Sequence, residues 1–164
     1  TPADWHLRNF ADLACKLAGS VDECVVSCAR IYKKTQRRLD IAGKSSEFSW
    51  NDPDWAQKQD LLGKIAGIAA QYGMRTTICS QPGALAGHAG APLQPACCID
   101  TGRLSDIAGY DIPARQKGNR DGCLCAESRD IGSYDSCAHG CVYCYAVSDH
   151  EKAVSSLRAR TAAL

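Results

Sequence analysis

Three cysteines in the last thirty residues are spaced closely enough to bind one metal cluster. Cys137, Cys141 and Cys144 stand in the string Cys-Ala-His-Gly-Cys-Val-Tyr-Cys, so three thiols lie within eight residues. Thiolates at this spacing can ligate three irons of a [4Fe–4S] cube and leave the fourth iron open. Zinc sites use comparable spacings, so the three cysteines alone leave structural zinc as an alternative.

An open iron accepts an exogenous ligand, and S-adenosylmethionine can chelate it through its amino and carboxylate groups. Electron transfer into the sulfonium then gives a 5′-deoxyadenosyl radical, chemistry that belongs to the cofactor rather than to protein acids and bases. The spacing resembles that of the radical S-adenosylmethionine enzymes, and the string 137–146 is similar to their spore photoproduct lyase-like branch. In that superfamily the main chain of the aromatic residue before the last cysteine lies beside the adenine, which implies this role for Tyr143.

A wider resemblance covers nearly the whole chain. The motifs that carry it precede the triad in order: Trp5-His6 with Phe10, Cys98-Ile99-Asp100, Cys123-x-Cys125, and Ser128-x-Asp130-Ile131-Gly132-x-Tyr134. With them the chain resembles the C-terminal half of the bacterial domain-of-unknown-function family eighteen-forty-eight. The resemblance implies that an N-terminal half supplies further α/β units. Thr1 and Pro2 suit the cap and first position of a helix, so we expect a piece that begins at an element boundary.

Four cysteines outside the triad form a second candidate site. They are expected at strand ends or in loops: Cys79, Cys98, Cys123 and Cys125. Four thiols from three loops can saturate a second [4Fe–4S] cluster or a tetrahedral zinc ion, and ordinary free thiols are the alternative. Cys98 is preferred over its neighbour Cys97 because it begins the Cys-Ile-Asp motif. Three further cysteines lie in apolar stretches and are expected to be buried: Cys15, Cys24 and Cys28.

The composition favours metal ligation over disulfide bonds. Seven of the eleven cysteines lie between Cys97 and Cys144, and the chain shows no export signal. An odd, clustered set of this kind is typical of metal sites in a reducing compartment. The net charge of +1 indicates no general polyanion-binding surface, and no apolar run approaches the ~18 residues of a membrane span. We therefore expect a cytoplasmic protein without a membrane partner.

Helical and extended patterns alternate over residues 1–80. We predict a helix over 1–19, a strand over 23–31, a helix over 53–72 and a strand over 74–80. This order is typical of a parallel α/β arrangement, so the unit is predicted to be a partial (β/α) barrel-like fragment with too few strands to close.

Residues 81–164 are predicted to be a Cys-rich, iron–sulfur cluster-binding region. It is mostly loop, with a short helix near 103–108 and a C-terminal helix that starts at Ser148 with Glu151 as its capping box. In the first part of the chain, the basic run Lys33-Lys34-x-x-Arg37-Arg38 is the local feature that favours nucleic acid, although such runs are usually solvated helix faces. Residues 40–52 are predicted to be polar turns.

The leading hypothesis is a radical S-adenosylmethionine enzyme, or the cluster-bearing part of one, with an unknown substrate. It would need a reductant such as ferredoxin or flavodoxin. One alternative is an electron-transfer or redox-sensing iron–sulfur protein, in which the protein ligates every iron. The other is a zinc-stabilised binding module, with DNA or RNA as its partner.

Overall fold

The computed structural model describes residues 2–85, 93–129 and 131–162. These ranges contain five α-helices and one parallel sheet of three short strands, which confirms the mixed α/β class. The strands are β1 (Glu23–Val26), β2 (Arg75–Ile78) and β3 (Gln94–Pro95), with β2 in the centre. The barrel-like form predicted for this sheet is not confirmed. Among the helices of these ranges, none is long and apolar enough to cross a membrane.

The helix α1 (Ala3–Leu17) begins as the predicted one does, displaced by one position. Pro2 occupies the cap position, and its carbonyl oxygen accepts the N–H of Trp5 at 3.1 Å. The predicted cap, Thr1, lies outside the described residues. The helix buries Ala14 against Ala69 and Met74 of the following elements, so its apolar face belongs to the core.

The helix α3 (Trp55–Gln71) links the two longer strands and starts later than predicted. Pro53, predicted to be the first helical residue, lies before the cap, which is Asp54. The Asp54 carboxylate accepts the N–H of Gln57 at 2.8 Å, and the Asp54 N–H donates to the Gln57 side-chain oxygen at 3.1 Å. This reciprocal pair is a capping box. The helix ends at Gln71, one residue before the predicted end, and Gly73 follows with a φ of +75°, which suits glycine.

The sheet holds the main core. β1 and β2 run parallel from the pair Glu23 and Arg75 to the pair Val26 and Ile78. Ile78 is 2 % exposed and packs with Leu62 and Ala66 of α3. The third strand, which the sequence pattern did not predict, continues this parallel pairing beyond β2.

Two other helix boundaries differ from the predictions. The basic run opens a helix, α2 (Lys33–Ser46), which extends into the segment 40–52 predicted to be turns. The hydrophobic periodicity that would predict this helix is weak, because its buried residue is Thr35 and most of its other residues are polar. The helix α4 (Thr101–Ala108) lies where a short helix was predicted. The helix α5 (His150–Ala162) is capped by Asp149 rather than Ser148, since the Asp149 carboxylate accepts the N–H of Lys152 at 3.0 Å.

The chain divides into two compact units, each made of two segments. The sheet unit comprises Thr1–Cys28 and Pro53–Arg129, and the loop unit comprises Ala29–Asp52 and Asp130–Leu164. The loop unit therefore combines α2 with the C-terminal segment, across the boundary at residue 80 that the sequence predicts. The four cysteines of the second candidate site lie in the sheet unit, and the triad lies in the loop unit.

Candidate metal centres

The triad lies on a loop whose two ends are tied together. The Asp135 N–H donates to the carbonyl oxygen of Ala146 at 3.1 Å, and the Asp135 carboxylate accepts hydrogen bonds from the N–H and the hydroxyl of Ser148. These bonds from Ser148 hold the pKa of the Asp135 carboxyl below its ordinary value, so it is charged at neutral pH. We call residues 135–148 the triad loop, and its closure makes it a compact element of its own.

The helix α2 holds the main chain of the triad loop. The Arg38 guanidinium donates to the carbonyl oxygens of Cys144 and Val147, both at 2.6 Å. The Lys34 ammonium lies 3.4 Å from the carbonyl oxygen of Tyr145. Two cations of the basic run thus contact carbonyl oxygens near the end of the loop. The other two basic residues of the run, Lys33 and Arg37, are exposed.

The three thiols of the triad lie at or near the surface. Cys137 and Cys141 are exposed and Cys144 is half-buried. The Cys144 N–H donates to the Cys141 carbonyl oxygen at 3.0 Å, so these two residues begin and end one tight turn. The fold therefore leaves the thiols accessible while it constrains the backbone that carries two of them.

Tyr143 lies within that turn. Its ring is 68 % exposed. A hydrogen bond with the Cys141 thiol, and negative charge on that sulfur, raise the pKa of the Tyr143 hydroxyl. Its carbonyl oxygen faces α2, 3.5 Å from the Thr35 hydroxyl. The main-chain role that the sequence resemblance implies for Tyr143 stays a prediction.

The sheet unit brings together the four other predicted cysteines. One follows β2, one follows β3, and two lie in the loop after α4: Cys79, Cys98, Cys123 and Cys125. The Cys98 thiol hydrogen-bonds with Cys79 on one side and with Cys125 on the other. Cys125 in turn contacts the Cys123 thiol. We call these residues the four-thiol group.

Ser80 completes a ring of contacts around this group. Its hydroxyl lies 3.5 Å from the Cys79 sulfur and also hydrogen-bonds with Cys123, the other end of the series. Ser80 has a φ of +53°, a left-handed conformation that costs a non-glycine residue roughly 1–2 kcal/mol. The Arg120 guanidinium donates to the Cys79 sulfur at 3.3 Å. Sequence patterns gave no indication of Ser80, because its role depends on contacts between distant segments.

The four thiols do not have equal acidity. The hydrogen bonds from Ser80 and Arg120 lower the pKa of Cys79, despite some desolvation. The main-chain N–H of Cys125 lowers the pKa of Cys123. Desolvation, together with negative charge on Cys79 and Cys125, raises the pKa of Cys98 to about 11. The surroundings therefore favour the thiolate form more at the two ends of the series, Cys79 and Cys123, than at Cys98.

Cys97, the rival of Cys98, points elsewhere. Its thiol lies 3.2 Å from the carbonyl oxygens of both Ile99 and Leu124. Desolvation, followed by negative charge on Asp100, raises the pKa of Cys97. This thiol is a protonated donor to the main chain, and Cys98 is the one that contacts other cysteines.

Neither group is arranged around a single point. Within residues 2–85, 93–129 and 131–162, no three His, Cys, Asp or Glu side chains are placed so that they could hold a metal ion as they stand. The thiols of the four-thiol group meet in series, and in the triad Cys137 lies outside the turn of Cys141 and Cys144. The donor chemistry nevertheless fits, because thiolates are the ligands that iron–sulfur clusters and structural zinc take from proteins.

Other side chains singled out by sequence have plainer positions. His139 and Tyr134 are exposed, whereas Asp130 lies outside the described residues. Cys15 was expected to be buried, but it is exposed because α1 turns its neighbour Ala14 to the core instead. Cys24 and Cys28 are half-buried.

Comparison with known proteins places the chain in a family. The family model described as "Domain of unknown function (DUF1848)" matches residues 1–146, a range that includes both cysteine groups. No curated protein and no solved structure matches the chain. Since the match covers most of the chain, this protein belongs to the DUF1848 family.

Proposed function

We propose that this chain is the cluster-bearing part of an iron–sulfur enzyme of the radical S-adenosylmethionine class. Cys137, Cys141 and Cys144 would hold a [4Fe–4S] cluster. The observation that carries the proposal is the triad loop: three accessible thiols at this spacing stand on one closed loop, whose backbone is fixed by α2. When bound, the cluster supplies an open iron for S-adenosylmethionine and an electron for its cleavage.

The residues around the triad have positioning roles in this proposal. Arg38 and Lys34 donate hydrogen bonds to carbonyl oxygens of the loop, so the backbone near Cys144 would keep its conformation when the thiols become thiolates. The main chain of Tyr143, between Cys141 and Cys144, would lie beside the adenine of S-adenosylmethionine. Because Arg38 and Lys34 already bind the loop, the basic run supports nucleic-acid binding less strongly than its sequence suggested.

The proposal extends to the missing partners. The three parallel strands would form part of a larger barrel-like sheet, completed by an N-terminal half of the family fold. Ferredoxin or flavodoxin would supply the electron. A cytoplasmic location suits a protein with eleven cysteines in the reduced state. The substrate and reaction would depend on the completed fold.

The test begins with anaerobic reconstitution of the full chain with iron and sulfide. We expect a brown protein, and a cluster whose electron paramagnetic resonance spectrum changes when S-adenosylmethionine is added after reduction by dithionite. This spectroscopic change reports cofactor binding even if the chain alone has no turnover. Release of 5′-deoxyadenosine, measured by chromatography, reports cleavage in the protein completed by its N-terminal half.

Each contrary outcome would favour a different function. A cluster whose spectrum ignores S-adenosylmethionine would overturn the radical enzyme in favour of electron transfer or redox sensing. A colourless protein that retains zinc at the triad would overturn the iron–sulfur assignment. The variant Cys15→Ala is the matched control, because this exposed cysteine lies on α1 of the sheet unit, outside both groups.

A further inference from the structure

We propose that the four-thiol group binds a single zinc ion, as a site separate from the triad. The ligands are Cys79, Cys98, Cys123 and Cys125. The site goes beyond the proposed function and does not depend on it, because it lies within the sheet unit and uses none of the triad cysteines.

The first argument is that the backbone, not the thiols, brings the ligands together. The Cys79 N–H donates to the Val26 carbonyl oxygen at 2.9 Å, at the end of the parallel strands. The Ala96 N–H donates to Ile78 at 2.8 Å and fixes the strand that precedes Cys98. The Ala126 N–H donates to Ile99 at 2.9 Å and fixes the loop that carries the other two cysteines. Three segments are thus held at one edge, where parallel sheets commonly present their functional groups.

The second argument is the closeness of the sulfurs. Cys98 interacts with Cys79 and Cys125, and Cys123 interacts with Cys125, so the four thiols are neighbours in series. In a tetrahedral zinc site with Zn–S bonds of about 2.3 Å, neighbouring sulfurs lie about 3.8 Å apart. A [4Fe–4S] cube binds each thiolate at a different corner and keeps the sulfurs further apart. A series of neighbouring thiols is therefore nearer to the arrangement around one ion than to that around a cluster.

The third argument is that hydrogen-bond donors surround the sulfurs. Arg120 donates to Cys79, while main-chain N–H groups of Cys125 and Asn119 donate to Cys123. Four thiolates around Zn²⁺ carry a net charge of −2, which a guanidinium and N–H donors offset. Metal binding would remove the thiol protons, and the side chains would turn from one another toward the shared ion.

The experiment uses the full chain with Cys137, Cys141 and Cys144 changed to Ser, so that only the sheet unit offers a cysteine cluster. The probe is Co²⁺, which gives intense visible bands in a tetrahedral thiolate site, followed by Zn²⁺ as competitor. We expect one Co²⁺ per chain and loss of the bands when zinc is added. Further change of Cys98→Ser should abolish these bands. The matched control, Cys97→Ser, alters the adjacent thiol that faces main-chain carbonyl groups and should retain them.

A second measurement needs no variant of the four-thiol group. Iodoacetamide labelling followed by peptide mass analysis compares two exposed cysteines, Cys98 and Cys15, with and without zinc. Zinc should slow labelling of Cys98 by at least tenfold and leave Cys15 unchanged. A third variant, Arg120→Gln, should weaken zinc binding by roughly tenfold, the lower range for loss of a partner that supports a metal ligand.

The proposal is overturned by any of three results. The first is the absence of tetrahedral thiolate bands, with equal labelling of Cys98 with and without zinc. The second is equal loss of the bands in Cys97→Ser and Cys98→Ser. The third is anaerobic uptake of iron and sulfide that Cys98→Ser removes, which would establish a cluster instead. Neither failure nor success bears on S-adenosylmethionine binding, because the triad is absent from the cobalt experiment.

Discussion

The two cysteine groups are built in opposite ways. In the triad loop the cysteines are close in sequence, the thiols are accessible, and polar contacts from α2 hold the main chain. In the four-thiol group the cysteines come from three distant segments, and each thiol interacts with at least one other thiol of the group. The first arrangement leaves sulfur free to meet an external partner. The second places each sulfur next to other protein groups, with exposure ranging from the buried Cys125 to the exposed Cys98.

The difference teaches that spacing and convergence are separate kinds of information. A short motif indicates which chemistry a loop is suited to, but it does not require the thiols to be gathered before the metal arrives. Convergence of distant cysteines, by contrast, is a property of the folded backbone. The two groups should therefore respond to different substitutions, and the comparison can be tested from the largest effect to the smallest.

The largest effect should come from removing one proposed metal ligand from each group in turn. We expect Cys141→Ala to abolish the iron–sulfur cluster of the loop unit while leaving zinc binding in the sheet unit unchanged. Cys123→Ala should abolish zinc binding and leave the cluster. Metal and sulfide analysis of anaerobically prepared protein measures both. Loss of both metals in either variant would show that the groups are not independent and would remove the contrast between them.

The second effect concerns the anchor of the triad loop. Arg38→Ala removes two short, charge-assisted hydrogen bonds to the carbonyl groups of Cys144 and Val147. Bonds to charged groups contribute about 1.5–3 kcal/mol each, and water replaces them in part, so we expect a loss of about 2–4 kcal/mol in the free energy of unfolding. Urea denaturation measures it. The exposed neighbour serves as control: Arg37→Ala should stay within about 0.5 kcal/mol, and equal effects would contradict the anchor.

The third effect sharpens the role of packing near the four-thiol group. A Cβ atom at Gly118 would lie 2.3 Å from the carbonyl oxygen of Cys123, so Gly118→Ala must displace the main chain of a ligand. We expect a cost of about 1–3 kcal/mol and weaker zinc binding. Gly73→Ala is the control, because it carries a φ of +75° with no atom within 4 Å of the added Cβ. It should cost roughly 1–2 kcal/mol of backbone strain and leave zinc affinity unchanged.

The smallest effect tests whether the sheet can be destabilised without weakening zinc binding by the four-thiol group. Glu23 accepts hydrogen bonds from Thr77 at 2.8 Å and Arg75 at 3.1 Å, and it also pairs with Arg103. Desolvation acts to raise the pKa of Glu23, but these partners outweigh it and bring the pKa below its ordinary 4.5. The carboxylate therefore contributes stability above pH 4.5, and this contribution is lost as the pH falls through the lowered pKa.

We expect Glu23→Gln to cost about 1–2 kcal/mol at pH 7 and the difference from the native protein to vanish in acid. Urea denaturation across this pH range measures it. Asp60→Asn is the control, since Asp60 forms an exposed i, i+4 pair with Lys64 and should cost less than about 0.5 kcal/mol. If the difference in the free energy of unfolding between Glu23→Gln and the native protein grew in acid, the sign of the pKa shift would be wrong. Weaker zinc binding by Glu23→Gln would show that the four-thiol group depends on this ion pair of the sheet.

Some of this molecule follows from local sequence. The first two strands, α3, α4 and the mostly irregular region after it were predicted, because apolar periodicity and glycine positions report local structure directly. The four cysteines of the second site were grouped because they lie outside both the triad and the apolar stretches. The property that functional groups gather where parallel strands end was applied to Cys79 alone, because the strand before Cys98 was not predicted.

Other features could not be predicted, for physical reasons. The pattern of the basic run suggested a solvated face because nothing local distinguishes a lysine or arginine that meets water from one that meets a carbonyl group. Arg38 and Cys144 are 106 positions apart in sequence. The cap of α5 was placed at Ser148, since its spacing from Glu151 fits a capping box, yet Ser148 is held by Asp135 instead. In each case a tertiary contact outcompeted a reasonable local one.

The long separation between α2 and the triad loop also sets an order of events during synthesis. Lys34 and its acceptor Tyr145 are 111 residues apart, so α2 leaves the ribosome on the order of ten seconds before its partner at ordinary rates of translation. A polar helix of 14 residues has little stability of its own in that interval. The loop unit can therefore form only after the chain has been translated through residue 148, and the cluster proposed for the triad would have to be inserted after that point.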